Sequence, residues 1–324
     1  MENNGIVVIG PVFVDIKGYP LSTYNPDGRN MGDVKTVHGG VSRNIVEDLA
    51  NMELRPTFLS LVDDTGSGDD IINQLGKHKV NTEYMRKVKD GMGIWLAVFD
   101  NSGDVVASIS KRPEFRPILE TIKERGDDIF STCDSISLEI DTDKEIVKTV
   151  FDYARKYGKK VYAVISNMSI AIERRDFFKY VDCLVCNQEE AGILFSEDYS
   201  SCTPVQMKEI LFEKITAAQI PSMVVTMGAQ GAVFANCEGD RGTCSALKVD
   251  VVDTTGAGDA FFAGVCAGLT YGKTLEESCN IGTRLSAAVI QTTENICPRF
   301  LPEEFDLAYR DGKQISFIEK SEEN

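Results

Sequence analysis

The sequence predicts an α/β fold, in which a doubly wound, mostly parallel sheet is flanked by helices and a small β-sheet is inserted. Three observations support this prediction. Short β-rich runs alternate with amphipathic helical stretches along most of the 324 residues, two segments near 12–37 and 91–112 break that rhythm, and no internal repeat or low-complexity linker divides the chain. We therefore expect one domain over residues 1–324, with a polar, peripheral tail from residue 310.

The predicted strands and helices follow one another in βαβ order. The predicted strands are the β-rich runs at 5–12, 56–62, 160–165, 181–186 and 222–227. The predicted helices are the stretches at 44–52, 70–75, 143–156 and 204–218. The clearest helix is 143–156, because Ile146, Val150 and Ala154 recur at helical spacing and Gly158 follows as a stop. Strands joined by such crossovers run parallel.

Two segments do not fit this alternation. Residues 12–37 are rich in Gly, Pro and Asn and show no helical period. Residues 94–109 carry two β-rich runs joined by Asn-Ser-Gly-Asp at 101–104, which is a hairpin signal. We expect both segments to form the small inserted β layer.

Composition and charge exclude several classes of function. The formal net charge of −16 repels nucleic acid and anionic lipid surfaces, and no window of about 18 apolar residues could span a membrane. An anionic small ligand would therefore have to be held by local dipoles and a few cations. Nine scattered cysteines and a start without signal-peptide features predict a reduced, cytoplasmic protein.

The sequence holds few residues suited to a nucleophilic triad, a multi-histidine metal site or a redox centre. The chain has only two histidines, His38 and His78, too few for a multi-His metal site. Cys183 and Cys186 form a Cys-x-x-Cys within a predicted buried strand, where their odd separation points the thiols to opposite faces. Oxygen ligands and backbone amides remain as the chemical groups of a site.

The strongest local feature lies at 249–262, where a β-rich stretch passes through a small-residue turn into an apolar helix. Gly256, Ala257 and Gly258 allow close backbone approach, and N–H groups at a helix start point outward. This turn therefore predicts an anion site suited to phosphate. By contrast, the acidic stretch at 63–70 is explained by turn formation and helix capping.

Asp259 follows this turn directly and has two interpretations. As a plain structural residue it caps the first turn of the helix. As a functional residue it accepts the proton of an attacking hydroxyl while the 256–258 amides hold a transferring phosphoryl group. Neither a Gly-x-x-x-x-Gly-Lys-Ser/Thr loop nor an early Gly-x-Gly-x-x-Gly occurs, which disfavours P-loop NTPases and Rossmann dehydrogenases.

The run Asp-Thr-Thr-Gly-Ala-Gly-Asp-Ala-Phe at 253–261 resembles the second signature of the ribokinase-like (PfkB) carbohydrate kinase family. Three further segments match that family in order, so the resemblance covers roughly residues 5–300. They are Gly-Gly-Val-Ser-Arg-Asn at 39–44, Asn-Gln-Glu-Glu at 187–190 and Thr-Met-Gly-Ala-Gln-Gly at 226–231.

This resemblance implies a ribokinase-like kinase that uses ATP and Mg²⁺, with K⁺ as a further expectation. Asp259 would be the base and Gly256, Ala257 and Gly258 the anion hole, and the two β segments would form a lid through which two chains pair as a homodimer. The residues implied in substrate binding are Asp15, Gly39, Gly40, Arg43, Asn44, Glu139 and Asp141. Those implied in nucleotide binding are Asn187, Thr226, Gly228, Gly231 and Asn280, with Glu190 organising Mg²⁺ and Asp253 and Thr255 beside a monovalent cation.

Within the family, the sequence is most similar to the pseudouridine kinases, through Gly-Gly-Val-x-Arg-Asn at 39–44 and Asn-Pro-x-Gly at 25–28. It departs from them at 139–141 and 163–165. The expected reaction is transfer of the γ-phosphoryl group of ATP to a primary hydroxyl of a nucleoside or furanose sugar, with pseudouridine as the favoured acceptor. A nucleoside is favoured because acceptor oxygens of Glu139 and Asp141 would suit the N–H donors of a base. A kinase of ribose, fructose or a related sugar is the first alternative, and a binding protein without turnover is the second.

Overall fold

The computed structural model describes residues 5–307, 309–310 and 313–314. Its strands are β1 (Ile6–Ile9), β2 (Phe13–Pro20), β3 (Gly32–Gly39), β4 (Thr57–Leu59), β5 (Leu61–Asp63), β6 (Arg86–Val88), β7 (Gly93–Phe99), β8 (Val105–Lys111), β9 (Ser135–Glu139), β10 (Val161–Val164), β11 (Cys183–Asn187), β12 (Ser222–Thr226), β13 (Ala232–Asn236), β14 (Arg241–Cys244), β15 (Tyr309–Arg310) and β16 (Lys313–Gln314).

The helices alternate with these strands. They are α1 (Val41–Asn51), α2 (Gly66–Lys77), α3 (Arg116–Thr132), α4 (Lys144–Tyr157), α5 (Met168–Ala171), α6 (Gln188–Phe195), α7 (Pro204–Ala218), α8 (Ala257–Thr270) and α9 (Leu275–Val289), with short 3₁₀ segments at Ile172–Tyr180, Gly228–Gln230 and Pro302–Phe305. Of the helices in the described residues, none is long and apolar enough to cross a membrane.

A large sheet of eight strands forms the centre of the fold, in the order β14-β13-β12-β11-β10-β9-β1-β4. The strands from β12 to β4 run parallel, and β13 and β14 are antiparallel additions at one edge. The predicted mostly parallel sheet is therefore confirmed. Because parallel strands end on the same side, the segments that follow β1, β9, β10, β11 and β12 meet along one edge.

Both faces of the large sheet are buried under helices. Ile6 and Val8 of β1 belong to one hydrophobic cluster together with residues of α1, α8 and α9, and Val7 and Ile9 belong to a second cluster with residues of α3, α4 and α7. Cys183 and Cys186 likewise fall into opposite clusters, as predicted. The parallel strands are mostly apolar because each face packs against a helical layer.

The two segments that interrupt the αβ alternation form a separate small sheet in the order β3-β2-β7-β8. β2 and β7 pair in parallel, while β2–β3 and β7–β8 are antiparallel hairpins. The hairpin ends meet where the Tyr24 backbone N–H donates to Asn101 Oδ1 at 3.1 Å. The predicted small β-sheet is thus present, and it begins four residues after β1 ends.

One predicted strand is divided in the structure. Residues 57–59 pair with β1 in the large sheet, whereas residues 61–63 pair with β6 in a separate two-stranded sheet. Ser60 lies between them, donating its hydroxyl to the Gly10 carbonyl at 2.6 Å and accepting the Arg86 N–H at 3.1 Å through its own carbonyl. These two hydrogen bonds fix Ser60 at the point where the chain passes from the large sheet to the two-stranded sheet.

Candidate active site

A cavity of about 300 Å³ opens between the small sheet and the carboxyl-terminal edge of the large sheet. This volume lies at the lower end of the range for small-ligand pockets. The residues in its wall that were predicted from the sequence are Asp15, Gly40, Asn44, Glu139, Thr255, Gly256 and Asp259. The other residues in its wall are Phe13, Val41, Trp95, Ser110, Arg112, Ser166 and Asn167.

The Gly256 turn leads into α8 at the edge of this cavity. Gly256 is the N-cap residue with a φ of 81°, in the left-handed region that favours glycine, and it offers no side chain to cap the helix. A Cβ on Gly256 would lie 2.1 Å from the Asn295 carbonyl oxygen, whereas a Cβ on Gly258 would have no atom of the described residues within 4 Å apart from its own helix backbone and chain neighbours. The turn is therefore packed tightly on one side and open on the other, as an anion cradle requires.

The Asp259 carboxylate lies in the first turn of α8 and is partly buried. Its Oδ2 accepts a hydrogen bond of 2.7 Å from the Asn44 side-chain amide. Burial raises the pKa of Asp259 to about 6, while the Asn44 hydrogen bond and the Arg43 charge act to lower it. The carboxylate thus contacts α1 in the cavity wall, a placement that favours the base interpretation over simple capping.

Asp15 and Gly40 form the wall next to Asn44, and Gly39, which is not part of the cavity wall, packs against Asp15. A Cβ on Gly39 would lie 2.4 Å from Asp15 Oδ2, so glycine at 39 leaves room for the Asp15 carboxylate. Gly40 is the N-cap of α1 with a φ of 103°. Burial raises the pKa of Asp15, and the nearby Lys17 and Arg43 act against that rise. These residues offer one carboxylate and one amide to the hydroxyl groups of a ligand.

A second group of carboxylates lies at the ends of β9 and β10. Glu139 Oε1 accepts hydrogen bonds from the Ser42 N–H at 2.9 Å and the Ser42 hydroxyl at 2.6 Å, and Glu139 Oε2 contacts the Ser166 hydroxyl at 2.9 Å. Burial and the neighbouring Asp141 raise the pKa of Glu139 to about 7. The Glu139 side chain is therefore held by the protein itself and carries a proton for much of the range below neutral pH.

Arg43 and Asp141 lie behind the cavity wall instead of in it. Arg43 forms a buried ion pair with Glu47 at 3.0 Å and donates hydrogen bonds to the His38 carbonyl and, at 3.3 Å, to Asn295 Oδ1. Asp141 is buried, accepts the Ser166 N–H at 3.0 Å and pairs with Arg112 at 3.2 Å. The structure does not bring these two predicted substrate residues to the cavity surface, because each is already engaged by protein groups.

The residues expected to bind nucleotide lie next along the same sheet edge, outside the cavity wall. Asn187 ends β11 and pairs in register with Thr226, which ends β12. Asn187 and Glu190 form a reciprocal capping box at the start of α6, with both hydrogen bonds at 2.8 Å. Burial raises the pKa of Glu190. The Asn187–Glu190 pattern is therefore first of all a helix cap, and the cap uses Glu190 Oε2.

The remaining nucleotide candidates follow β12 and lie on α9. Gly228 and Gly231 have φ angles of 54° and 94°, and a Cβ on Gly231 would lie 1.9 Å from the Cys244 carbonyl oxygen. Glycine is thus required at 231 for the turn into β13. Asn280 is exposed on α9.

Asp253 and Thr255 lie in the loop that precedes α8. The Asp253 carboxylate accepts the Thr255 N–H at 2.8 Å, and this hydrogen bond lowers the pKa of Asp253. The loop is tied to the end of α9, since the Val252 N–H donates to the Ile290 carbonyl at 2.7 Å. By contrast, the Asn-Pro-x-Gly segment at 25–28 lies in the exposed connection between β2 and β3 and lines no part of the cavity.

Sequence reasoning missed several cavity residues, among them Trp95, Arg112 and Asn167. Trp95 is the only tryptophan of the chain and pairs in register with Asp15 across β2 and β7. That parallel pairing joins two segments 80 residues apart, which no local pattern reveals. A further missed residue is Lys17, which lies outside the cavity wall and whose charge acts to lower the pKa of both Asp15 and Asp253.

Comparison with known proteins identifies the family of this chain. Residues 3–299 match the model of the pfkB family carbohydrate kinases. The chain is 33% identical to guanosine-inosine kinase of Exiguobacterium acetylicum over 294 residues, covering 90% of this chain and 96% of that protein. It is 23% identical to pseudouridine kinase of Escherichia coli strain K12 over 290 residues, covering 89% and 91%.

The fold is also that of a solved relative. The structure of Arabidopsis thaliana ribokinase complexed with ribose and ATP superimposes with a TM-score of 0.78 at 19% identity, covering 92% of this chain and 97% of that one. The ribokinase-like fold expected from the sequence is therefore confirmed. The chain belongs to the pfkB family of carbohydrate kinases, enzymes that phosphorylate hydroxyl groups of sugars and nucleosides.

Proposed function

We propose that this protein transfers the γ-phosphoryl group of ATP to the primary hydroxyl of a nucleoside, with guanosine and inosine as the favoured acceptors. The observation that carries the proposal is the Asp259 carboxylate, which lies between Asn44 and the open Gly256 turn with a pKa raised to about 6. The similarity to guanosine-inosine kinase over 90% of the chain supports the choice of acceptor. Pseudouridine is the second candidate, supported by the more distant relative at 23% identity.

In the proposed reaction Asp259 accepts the proton of the acceptor hydroxyl as its oxygen bonds to the γ-phosphorus. The bond from the γ-phosphorus to the bridging oxygen breaks, and ADP leaves. The N–H groups of 256–258 stabilise the negative charge of the phosphoryl group during transfer, together with the positive end of α8. Asp15 and Asn44 would orient the hydroxyl groups of the ribose.

The proposed nucleotide lies across the sheet edge formed by Asn187, Thr226 and the Gly228 turn. Within residues 5–307, 309–310 and 313–314, no three His, Cys, Asp or Glu side chains form a metal-binding group. Mg²⁺ suits such a site, since it usually keeps several waters and binds one or two carboxylates together with substrate phosphates. We assign Glu190 as the carboxylate that contacts Mg²⁺ through water. Its Oε2 accepts the Asn187 N–H, whereas its Oε1 takes no part in that hydrogen bond.

A homodimer through the small sheet is part of this proposal. Ile16, Leu96 and Ile109 pair in register on the sheet face opposite to Asp15, because side chains alternate along each strand. Leu96 is 40% exposed and Ile109 is 69% exposed, an apolar surface that a second copy would cover. We expect sedimentation to show a dimer for the parent protein and a monomer for the Ile109→Lys variant.

A cytoplasmic location, expected from the composition, also remains a proposal.

An ADP-release assay over a panel of acceptors tests the proposed function. The panel holds inosine, guanosine, pseudouridine, uridine, adenosine, ribose and fructose, each with ATP and Mg²⁺. We expect the highest kcat/KM for a nucleoside and a product phosphorylated on the primary hydroxyl. A higher kcat/KM for ribose or fructose would instead support a sugar kinase. Binding of ATP without ADP release for any acceptor would support a protein without turnover.

A further inference from the structure

The cavity has two ends that are separated by the width of the small sheet. Asp15, Trp95 and Ser110 form one row across β2, β7 and β8, because each pairs in register with the next. Neighbouring strands lie about 4.8 Å apart, so Ser110 lies roughly 10 Å from Asp15. Ser166 and Asn167 follow β10, two strands away from β1 in the large sheet. The hydroxyl-binding end near Asp15 is thus distinct from a far end at Arg112, Ser166 and Asn167.

The carboxylates at the far end are already satisfied by protein donors. Glu139 is held by Ser42 and Ser166, and Asp141 by Ser166 and Arg112. A buried carboxylate with such donors has little capacity for the N–H groups of a ligand. Recognition of a base by acceptor oxygens of Glu139 and Asp141, as the sequence predicted, is therefore disfavoured by this geometry.

The groups that remain at the far end are donors. The Arg112 guanidinium has five N–H groups, and in the described part of the chain its Nη1 donates to the Asp141 carbonyl while its buried Nε has no hydrogen-bond partner. The Asn167 side-chain oxygen accepts the Ile170 N–H at 3.3 Å, which leaves the amide NH₂ as a donor. Both residues line the cavity, as does Trp95.

We infer that Trp95, Arg112 and Asn167 form a nucleobase subsite that selects a base with acceptor atoms on its edge, a 6-oxopurine, over adenine. This inference rests on the proposed function, since it places the ribose of the same nucleoside at Asp15 and Asn44. Arginine donates to the O6 and N7 atoms of a 6-oxopurine as a pair, whereas adenine presents an amino group in place of O6. The Trp95 ring supplies a face on which the base stacks.

The selectivity expected from one such paired contact is about 5- to 150-fold in kcat/KM for inosine over adenosine. Stacking on Trp95 gives a direct signal, because Trp95 is the only tryptophan of the sequence and fluorescence excited at about 295 nm, where tyrosine absorbs little, reports on this residue. We expect inosine and guanosine to quench that fluorescence in a saturable way. Ribose, which lacks the base, is expected to leave it unchanged.

Two substitutions test the donor groups. Asn167→Asp keeps the oxygen that caps Ile170 and removes the NH₂ donor, and Arg112→Lys keeps the charge beside Asp141 and removes the paired donors. Each variant should reduce the kcat/KM ratio of inosine to adenosine at least several-fold. A residue with a merely structural role would lower both values together. Arg116→Lys is the matched control, since Arg116 is 79% exposed on α3 and should leave the ratio unchanged.

The outcomes separate this inference from the proposed function. If nucleosides are phosphorylated but inosine leaves the Trp95 fluorescence unchanged, or if both variants keep the parental ratio, the subsite assignment is wrong and the kinase proposal stands. If no nucleoside is phosphorylated, the proposed function fails, and saturable quenching by inosine but not adenosine would still support the subsite. Absence of both turnover and quenching contradicts both. Circular dichroism shows whether each variant is folded, and Asn167→Asp remains informative if Arg112→Lys is not.

Discussion

The Asn44 side-chain amide donates a hydrogen bond of 2.7 Å to Asp259 Oδ2 and so joins α1 to α8 across 215 residues of sequence. Asn44 lies in α1, just after the Gly39–Gly40 turn beside Asp15, and Asp259 lies in the first turn of α8, just after Gly256. The hydrogen bond therefore couples the proposed hydroxyl-binding wall to the proposed anion hole. It also stabilises the ionised form of Asp259, which is the form that a base requires.

The pH dependence of the reaction follows from this contact. We expect kcat/KM to fall as the pH drops through about 6, because Asp259, whose pKa is raised to about 6, becomes protonated and loses its function as a base. The pH profile with a saturating nucleotide measures this acid limb.

Asn44→Ala provides the specific test of the assignment. The Asn44 hydrogen bond acts to lower the pKa of Asp259, so its loss should move the acid limb to higher pH. An acid limb that stays in place in Asn44→Ala would assign it to a different group. Asn51→Ala is a matched control at the other end of α1, where the amide contacts the Cys297 carbonyl, and should not move the limb.

A monovalent cation is predicted to activate the enzyme, with K⁺ more effective than Na⁺. Asp253 and Thr255 lie in the loop that leads into the Gly256 turn, so an ion held there would fix the orientation of the 256–258 amides. Rates in K⁺, Na⁺ and a bulky organic cation at constant ionic strength provide the measurement. Equal rates in all three would eliminate this role.

Glu139 is predicted to make stability depend on pH. Its pKa is raised from 4.5 to about 7, so the folded protein binds more protons than the unfolded chain between these values. The free energy of unfolding should therefore decrease as the pH rises from 4.5 to about 7, by roughly 3 kcal/mol from this group alone.

Urea unfolding at pH 5 and pH 8 checks this prediction with Glu139→Gln, which cannot titrate. Relative to the parent, the variant should gain stability at pH 8 compared with pH 5. Glu124→Gln, at an exposed position of α3, should show the same difference from the parent at both pH values. If the difference in unfolding free energy between Glu139→Gln and the parent is the same at pH 5 and pH 8, Glu139 titrates as an ordinary carboxyl group.

Local patterns predicted much of the fold. Helix α7 spans 204–218 as predicted, since Thr203 and Gln206 form a capping box and Pro204 starts the helix. Helix α4 begins after Asp143 and ends before Gly158, close to the expected bounds. Helices α3, α5, α6 and α9 lie outside the predicted set. For α9, burial depends on packing against α8, where a Cβ on Gly264 would lie 2.6 Å from Gly282, and such close approach is not visible in a periodic pattern.

The motif residues of the candidate site could be predicted one by one from the sequence, whereas their arrangement in space could not. Asp259, Asn44 and Asp15 each belong to a sequence motif, and the structure brings all three to one cavity. Arg43 and Asp141 belong to the same motifs but lie behind the wall, because Glu47 and Arg112 hold them there. Trp95 and Arg112 follow no motif, and their place at the cavity depends on the parallel pairing of β2 with β7.

The change of Asp259 to Asn tests the central claim most directly, because it removes the base while keeping nearly the same shape and the contact with α1. Steady-state turnover with the preferred acceptor is the measurement, with ATP binding by calorimetry and Asp70→Asn, an exposed change of the same kind on α2, as controls. We expect kcat to fall by about 10² to 10⁴ while ATP binding is retained. Turnover within a few-fold of the parent would show that Asp259 is only a structural residue and would contradict the proposed mechanism.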